Sequence, residues 1–286
     1  MTINYDRLIN WRIPPVEMTL SKRDTILYAL GVGLGADPLD SDQLKFVYEE
    51  GLQALPTMAI ILGYPGAWFA HPDTGITRSH TVHGEQQFII HKQLPVEGTI
   101  VGSNKIIKLI DKGEGRGAIL YTECTVRNKT TEEVLCTWTS SLFCRADGGF
   151  GGPSGPGMDL PAVPERAADF TCDLATLPQA ALIYRLSGDY NPLHADPAWA
   201  KKAGFKAPIL HGRCTFGVAG HALVKTLCGY DPSKLKSMQG RFSSPVYPGE
   251  TIRTEMWREG NTVSFRSTVP ARGVTVLNNG RAEIAD

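Results

Sequence analysis

The sequence predicts an α+β protein built from two like halves. Four stretches rich in β-branched residues, 78–93, 98–111, 116–127 and 133–145, follow helical material in the first half. Four more, 236–243, 250–258, 262–270 and 274–284, follow helical material in the second. Between the two sets lies Gly148-Gly-Phe-Gly-Gly-Pro-Ser-Gly-Pro-Gly157, which no regular element tolerates. Helices and then four antiparallel strands, written twice, imply two curved sheets, each around a central helix. A continuous sheet and a pseudo-dimer of sheets both satisfy that pattern. The expected division is 1–147, a Gly/Pro-rich linker over 148–165, and 166–286.

In order along the chain, Trp11-Arg-Ile-Pro-Pro15 is an extended opening. Ser21 caps a helix with Asp24 in its first turn, and Ile26, Leu27 and Leu30 give it an apolar face. Gly31-Val-Gly-Leu-Gly35 ends that helix. It follows a helical pattern rather than a strand, and its spacing is wrong for a dinucleotide fingerprint. A second short helix is expected over 42–50, followed by the buried-looking Leu55-Pro-Thr-Met-Ala-Ile-Ile-Leu62. The strands of the first half are then separated by Leu94-Pro-Val-Glu-Gly98, Lys112-Gly-Glu-Gly115 and Asn128-Lys-Thr-Thr131, spacings that make hairpins. The glycine run at 148–157 lacks the Lys-Ser/Thr ending of a phosphate loop, which favours a linker.

In the second half a strand at 168–174 leads to a helix at 178–186. Asp196-Pro197 caps and starts another helix that Gly204 stops. The pattern at 213–227 is apolar on several faces, with Gly217, Ala219 and Gly220 keeping one side small. Such a helix belongs inside a sheet rather than on a surface.

The 286 residues are 42% hydrophobic and 20% charged, with Lys+Arg and Asp+Glu both 29. A chain with no net charge has no broad field for nucleic acid or an anionic membrane surface. No apolar run is long enough to span a bilayer. The start, Met1-Thr-Ile-Asn-Tyr-Asp6, lacks a secretory pattern, and Glu283-Ile-Ala-Asp286 is not a peroxisomal Ser-Lys-Leu address. Six scattered cysteines without a C-x-x-C pair read as reduced core thiols. A cytoplasmic enzyme is the expectation.

The densest chemistry lies in Tyr184-Arg-Leu-Ser-Gly-Asp-Tyr-Asn-Pro-Leu-His194 and the following Pro208-Ile-Leu-His-Gly212. Gly188 and Asn191-Pro192 break the backbone on either side of Asp189, which curls the chain and turns Asp189 and His194 toward one point. A carboxylate and an imidazole so placed suit acid–base catalysis. An ordinary Asx turn accounts for the same residues equally well on local chemistry alone.

The run from Tyr184 through Asp196-Pro197, with Pro208–Gly212, resembles the motif of the MaoC-like, (R)-specific 2-enoyl-CoA hydratases, the hydratase 2 family. Tyr28-Ala-Leu-Gly-Val-Gly33, Leu44-Lys-Phe-Val-Tyr48, Leu55-Pro-Thr57, Val82-His-Gly-Glu-Gln86, Asp111-Lys-Gly113, Phe150-Gly-Gly152 and Arg241–Glu250 extend the likeness nearly end to end. They are similar to the hydratase 2 part of peroxisomal multifunctional enzyme type 2. The resemblance implies a double hot-dog fold and reversible hydration of trans-2-enoyl-CoA to (R)-3-hydroxyacyl-CoA. It implies that Asp189 and His194 hold one water, that Asn191 steadies them, and that the Gly212 N–H donates to the thioester oxygen. It places His83, Gly84, Lys112, Tyr190, Pro192, Leu193 and Phe242 along the acyl-CoA, with Lys112 on a CoA phosphate. It also implies an acyl-CoA substrate, no cofactor and no metal, and a homodimer is expected.

Simpler readings stand beside these. A lysine in a glycine-flanked turn is usually solvated, and His83 could be a satisfied strand histidine. His80 and His83, three apart in a strand, face opposite ways and cannot share a metal with His91. His211 reads as packing or capping, and His71 and His221 have no assigned role. Ser154 is not in a G-x-S-x-G elbow, which counts against a serine hydrolase. Leu55–Leu62 is apolar enough for a tail pocket, although core packing explains it too. A hot-dog acyl-CoA thioesterase and a non-catalytic acyl-CoA-binding protein are the alternatives.

Overall fold

The computed structural model describes residues 2–285. Met1 and Asp286, which enter the targeting expectation, lie outside the described residues. The elements are α1 (Tyr5–Ile9), β1 (Val16–Leu20), α2 (Lys22–Gly31), α3 (Ser41–Val47), β2 (Thr81–Ile90), β3 (Gly98–Asp111), β4 (Ala118–Asn128) and β5 (Val134–Cys144). The second half adds β6 (Phe170–Ala175), α4 (Ala180–Tyr184), α5 (Pro197–Lys202), α6 (Gly212–Leu227), β7 (Leu235–Phe242), β8 (Thr251–Glu259), β9 (Thr262–Val269) and β10 (Val274–Ile284).

All ten strands form one sheet, in the order β1-β3-β4-β5-β2-β7-β10-β9-β8-β6. Read inward from each edge, the halves repeat: 1-3-4-5-2 against 6-8-9-10-7. The question of one sheet or two is thereby answered in favour of one. The joint is the antiparallel β2–β7 pair, where Gln87 faces Gln239 and Glu85 faces Arg241. At that joint the buried Glu85 carboxylate takes 2.8 Å contacts from Arg241 and from the Tyr121 hydroxyl. Tyr121 in turn accepts the Met158 N–H at 2.9 Å, so the segment crossing between halves is fastened to the same knot.

The central element differs between halves. In the second, α6 is buried over Arg213–Val224. In the first, a 3-10 helix, Pro56–Ile61, occupies the corresponding place in the order, ahead of the inner strand and separated from it by three short 3-10 turns. Its β-branched isoleucines and leading proline favour a short element, and Gly63 ends it at φ +64°. A Cβ on Gly63 would stand 2.5 Å from the Gly102 Cα, so this exit tolerates only glycine. The small side of α6 has the use its composition suggested. Cβ positions at Gly217 and Gly220 would meet Val32 at 2.6 Å and Thr57 at 2.1 Å. The helix therefore lies directly against the turn after α2 and the Pro56–Ile61 segment.

Helix α2 has the predicted Ser21 cap, and Asp24 in its first turn completes a capping box with it. Its apolar face is not the predicted one: Leu30 is 41% exposed, and Thr25, Tyr28 and Ala29 are the residues buried. The reason is that α2 turns Gly31 onto the Tyr184 ring and Thr25 onto the Val96 carbonyl. Elements α1 and β1, and the 3-10 turns, have no counterpart in the sequence expectations.

The glycine run at 148–152 is an anion cradle that the protein fills itself. Asp111 accepts the N–H groups of Gly113, Gly149, Gly151 and Gly152 at 2.7–3.3 Å. Burial alone would push Asp111 up, yet these four donors hold it below the usual carboxylate range. A depressed folded pKa gives stability above the unfolded value and loses it as the pH falls through the folded one. Asp111→Asn is therefore expected to lower the melting temperature at pH 7. It should also flatten the loss of stability below about pH 4, where the wild type is being protonated. Melting curves from pH 3 to 7 measure both; parallel curves for the two proteins would refute the assignment.

Candidate active site

The loop from α4 to α5 folds as its sequence dictates. A 3-10 turn, Arg185–Ser187, stops at Gly188, whose φ of +109° suits glycine. Asp189 then accepts the Asn191 N–H on Oδ1 at 3.2 Å. Asn191 caps a second 3-10 turn, Pro192–His194, by accepting the Leu193 N–H at 3.2 Å. His194 is buried at the end of this turn, and its Nδ1 lies 2.8 Å from the Ile209 carbonyl. A carbonyl only accepts, so Nδ1 carries the proton, and Nε2 of the neutral ring keeps its lone pair.

His211 completes the cluster. Its ring stacks on His194, with centroids 3.7 Å apart and planes 27° apart. Its Nε2–H donates to the Asp189 main-chain carbonyl at 3.1 Å, while its Nδ1 is buried and has no hydrogen-bond partner among the described residues. His211 is also the residue before α6 and leaves that helix without a side-chain cap. The Gly212 N–H and its neighbours thus begin a buried helix beside the pair, where the dipole favours negative charge. The Phe242 ring lies against Gly212, where a Cβ would come within 3.3 Å of it. His83 packs on that ring from the first half at 4.7 Å. A register shift at Gly84, between β2 and β5, bends the strand beside His83, and a Cβ at Gly84 would strike the Ser141 hydroxyl at 2.7 Å.

Charge is distributed for base chemistry. Burial raises the Asp189 pKa, but His211, His194, Arg213 and the Asn191 N–H together bring it below the ordinary carboxylate value. His194 is held below its ordinary value by burial, against the pull of Asp189. Burial and then the neighbouring His194 push His211 down to about 3. Burial and then Arg213 do the same to His83, also to about 3. Near neutral pH the site thus holds one carboxylate among neutral imidazoles.

Sequence comparison meets this geometry over almost the whole chain. The MaoC like domain matches residues 159–279, and the MFE-2 hydratase 2 N-terminal domain matches 18–146. A Dictyostelium discoideum protein named probable enoyl-CoA hydratase 2 is 41% identical, over 99% of this chain and 97% of its own. The chain belongs to the MaoC-like hydratase 2 family. An Arabidopsis thaliana relative, named enoyl-CoA hydratase 2, peroxisomal, is 40% identical over 96% of this chain and 93% of its own. The crystal structure of a MaoC-like dehydratase from Phytophthora capsici superposes with a TM-score of 0.85 at 37% identity, covering 99% of both chains. The fold is the double hot dog of this family, and the chain is a hydro-lyase.

Within this MaoC-like frame, Asp189, Asn191, His194, Gly212, Phe242, His83 and Gly84 come together where the two halves join. Tyr190 is exposed and lies under the Arg185 guanidinium, and Pro192 and Leu193 form the half-buried wall of the loop. Lys112 stands apart, exposed in the β3–β4 turn. It is three strands from β2, roughly 14 Å at the usual strand spacing. It can meet only the far end of an extended ligand. His80 is exposed outside the strand, and His91 pairs with Thr137, so neither joins His83. Ligand-type atoms of Asp189, His194 and His211 lie within 4.8 Å of one another, a spacing that suits a metal. The His211 Nε2–H, however, is turned to the Asp189 main-chain carbonyl, so that nitrogen is not offered to an ion. His211 and Arg213 are the site residues that sequence reasoning did not assign. Only the closed loop shows the stack, and only the packed first half shows what surrounds Arg213.

Proposed function

We propose that the chain catalyses the reversible hydration of trans-2-enoyl-CoA to (R)-3-hydroxyacyl-CoA at Asp189 and His194. One observation carries this reading: a carboxylate oxygen of Asp189 and a ring nitrogen of His194 lie within 4.8 Å of each other beside the uncapped start of α6. A single water has two hydrogens, and these two acceptors can take both. As its oxygen adds to C3, one proton passes to the pair and one is delivered from the pair to C2. Negative charge gathers on the thioester oxygen, where the Gly212 N–H receives it, a contribution of about 3–4 kcal/mol to the barrier. His211 holds the pair in register through the ring stack and the Asp189 carbonyl. Electron flow within the conjugated thioester suffices, so the step calls for no cofactor beyond the substrate's own CoA.

The second half supplies the acid–base pair. The first half, with His83, Gly84 and Lys112, takes the acyl group and the CoA. A homodimer and a cytoplasmic location complete the proposal. Among the described residues no helix is long and apolar enough to cross a membrane. The test is loss of enoyl absorbance with crotonyl-CoA and longer analogues, followed by chiral analysis of the product. An (S) product, or thiol release with the chromophore intact, would sink the assignment.

The pH profile follows from the same groups. His194 must be neutral to accept a proton, and its pKa lies below 6.5. The acid limb of kcat/KM is therefore expected at an apparent pKa below 6.5. A limb centred above 7 would contradict the pairing.

A further inference from the structure

The residue after Gly212 is an arginine buried to 7% exposure, in the first turn of α6. Its guanidinium carbon stands 4.0 Å from the Tyr64 ring centroid and 5.3 Å from that of Trp138. Among the described residues it has no hydrogen bond and no ion pair. Burying an unpaired cation is costly, and contacts with aromatic faces offset only part of that cost. Five N–H donors in a rigid fork remain without an acceptor. Among the charges it influences are Asp189, which it lowers, and His83, which burial first and Arg213 second hold neutral.

The surroundings limit what this fork can bind. Trp138 on β5 and Cys124 on β4, whose thiol also feels Arg213, are both sealed in the core of the first half. Tyr64 follows the Pro56–Ile61 segment and is itself half-buried. This is the interior of the sheet that faces the pair, not a surface where the phosphates of a nucleotide would lie. An anion reaching Arg213 must therefore belong to the acyl part of the substrate. The planar fork matches a carboxylate with two parallel hydrogen bonds.

We propose that Arg213 is a specificity residue that binds a carboxylate carried on the acyl chain, so that the preferred substrates are enoyl thioesters of dicarboxylic acids. The inference rests on the hydratase reading. It is tested on matched trans-2-enoyl-CoA pairs of equal backbone length, one ending in a methyl group and the other in a carboxylate, over several lengths.

For the wild type, kcat/KM is expected to favour the carboxylate by roughly ten- to a hundredfold at the best length. Arg213→Leu should reverse the ratio, and Arg213→Lys should keep part of it, since lysine retains the charge but not the fork. No preference in the wild type overturns the proposal. So does an equal loss on both substrates in Arg213→Leu, which would place Arg213 at the reacting thioester instead. If the wild type hydrates neither member of any pair, the hydratase reading itself fails, and this inference falls with it. Should Arg213→Leu fail to fold, the wild-type ratio and Arg213→Lys decide.

Discussion

Replacing Asp189 by Asn is expected to lower kcat/KM for enoyl-CoA hydration by roughly 10²–10⁴-fold, the range of a positioned acid–base group. The substitution is nearly isosteric. Asn retains a carbonyl oxygen that can accept the Asn191 N–H, as Asp189 Oδ1 does at 3.2 Å. The contact from the His211 Nε2–H is to the main chain and survives unchanged. What disappears is the charge, and with it the capacity to accept a proton from water. His194 would then face a carboxamide, the water would lose one of its two acceptors, and the Arg213 cation would lose the anion it favours. A matched measurement of melting temperature separates chemistry from folding, because a rate loss from disorder would be accompanied by a lower transition. A variant with wild-type rate would remove Asp189 from the reaction altogether.

How much of this was legible in the sequence depends on the range of the interactions involved. Strands were legible because turn residues punctuate them locally: 98–111 and 274–284 were expected with the bounds that the structure shows. The edge strand β1 was not, because five residues after Pro14-Pro15, of which only Leu20 is fully buried, carry too short an alternation. Helix α2 was found by its cap, while its buried face was misread, because Tyr28, Ala29 and Thr25 are buried by contacts distant in sequence. The loop around Asp189 was legible for the same reason as the turns. Gly188 and Asn191-Pro192 fix their own backbone. The ring stack of His211 on His194 requires the Ile209 carbonyl to orient one imidazole and the Asp189 carbonyl the other, and neither contact leaves a local signal. The glycine run at 148–157 could not reveal its occupant, since Asp111 is some forty residues away.

Adding one methyl group to α6 should be the most damaging small change outside the site itself. A Cβ at Gly220 would fall 2.1 Å from Thr57 Cγ2, and both residues are buried. Thr57 cannot move aside, because the neighbouring Met58, Ala59 and Ile60 are fully enclosed and Leu62 accepts the Trp138 Nε1–H at 2.9 Å. Gly220→Ala must therefore push α6 away from the Pro56–Ile61 segment, at a cost of about 1–3 kcal/mol, the usual range for overpacking. The shift would also act on chemistry, since the same helix carries Gly212 at its start and is fixed against Val32 through Gly217. Activity should fall together with stability. The cause can be isolated, because Thr57→Ser removes the methyl group that is struck and leaves the hydroxyl. In the double variant, most of the lost stability and rate should return, which chemical denaturation and the hydration assay would read as a positive coupling between the two sites. Strict additivity would mean that α6 yields elsewhere. The close approach of the two central elements would then not be what holds the Gly212 N–H beside Asp189 and His194.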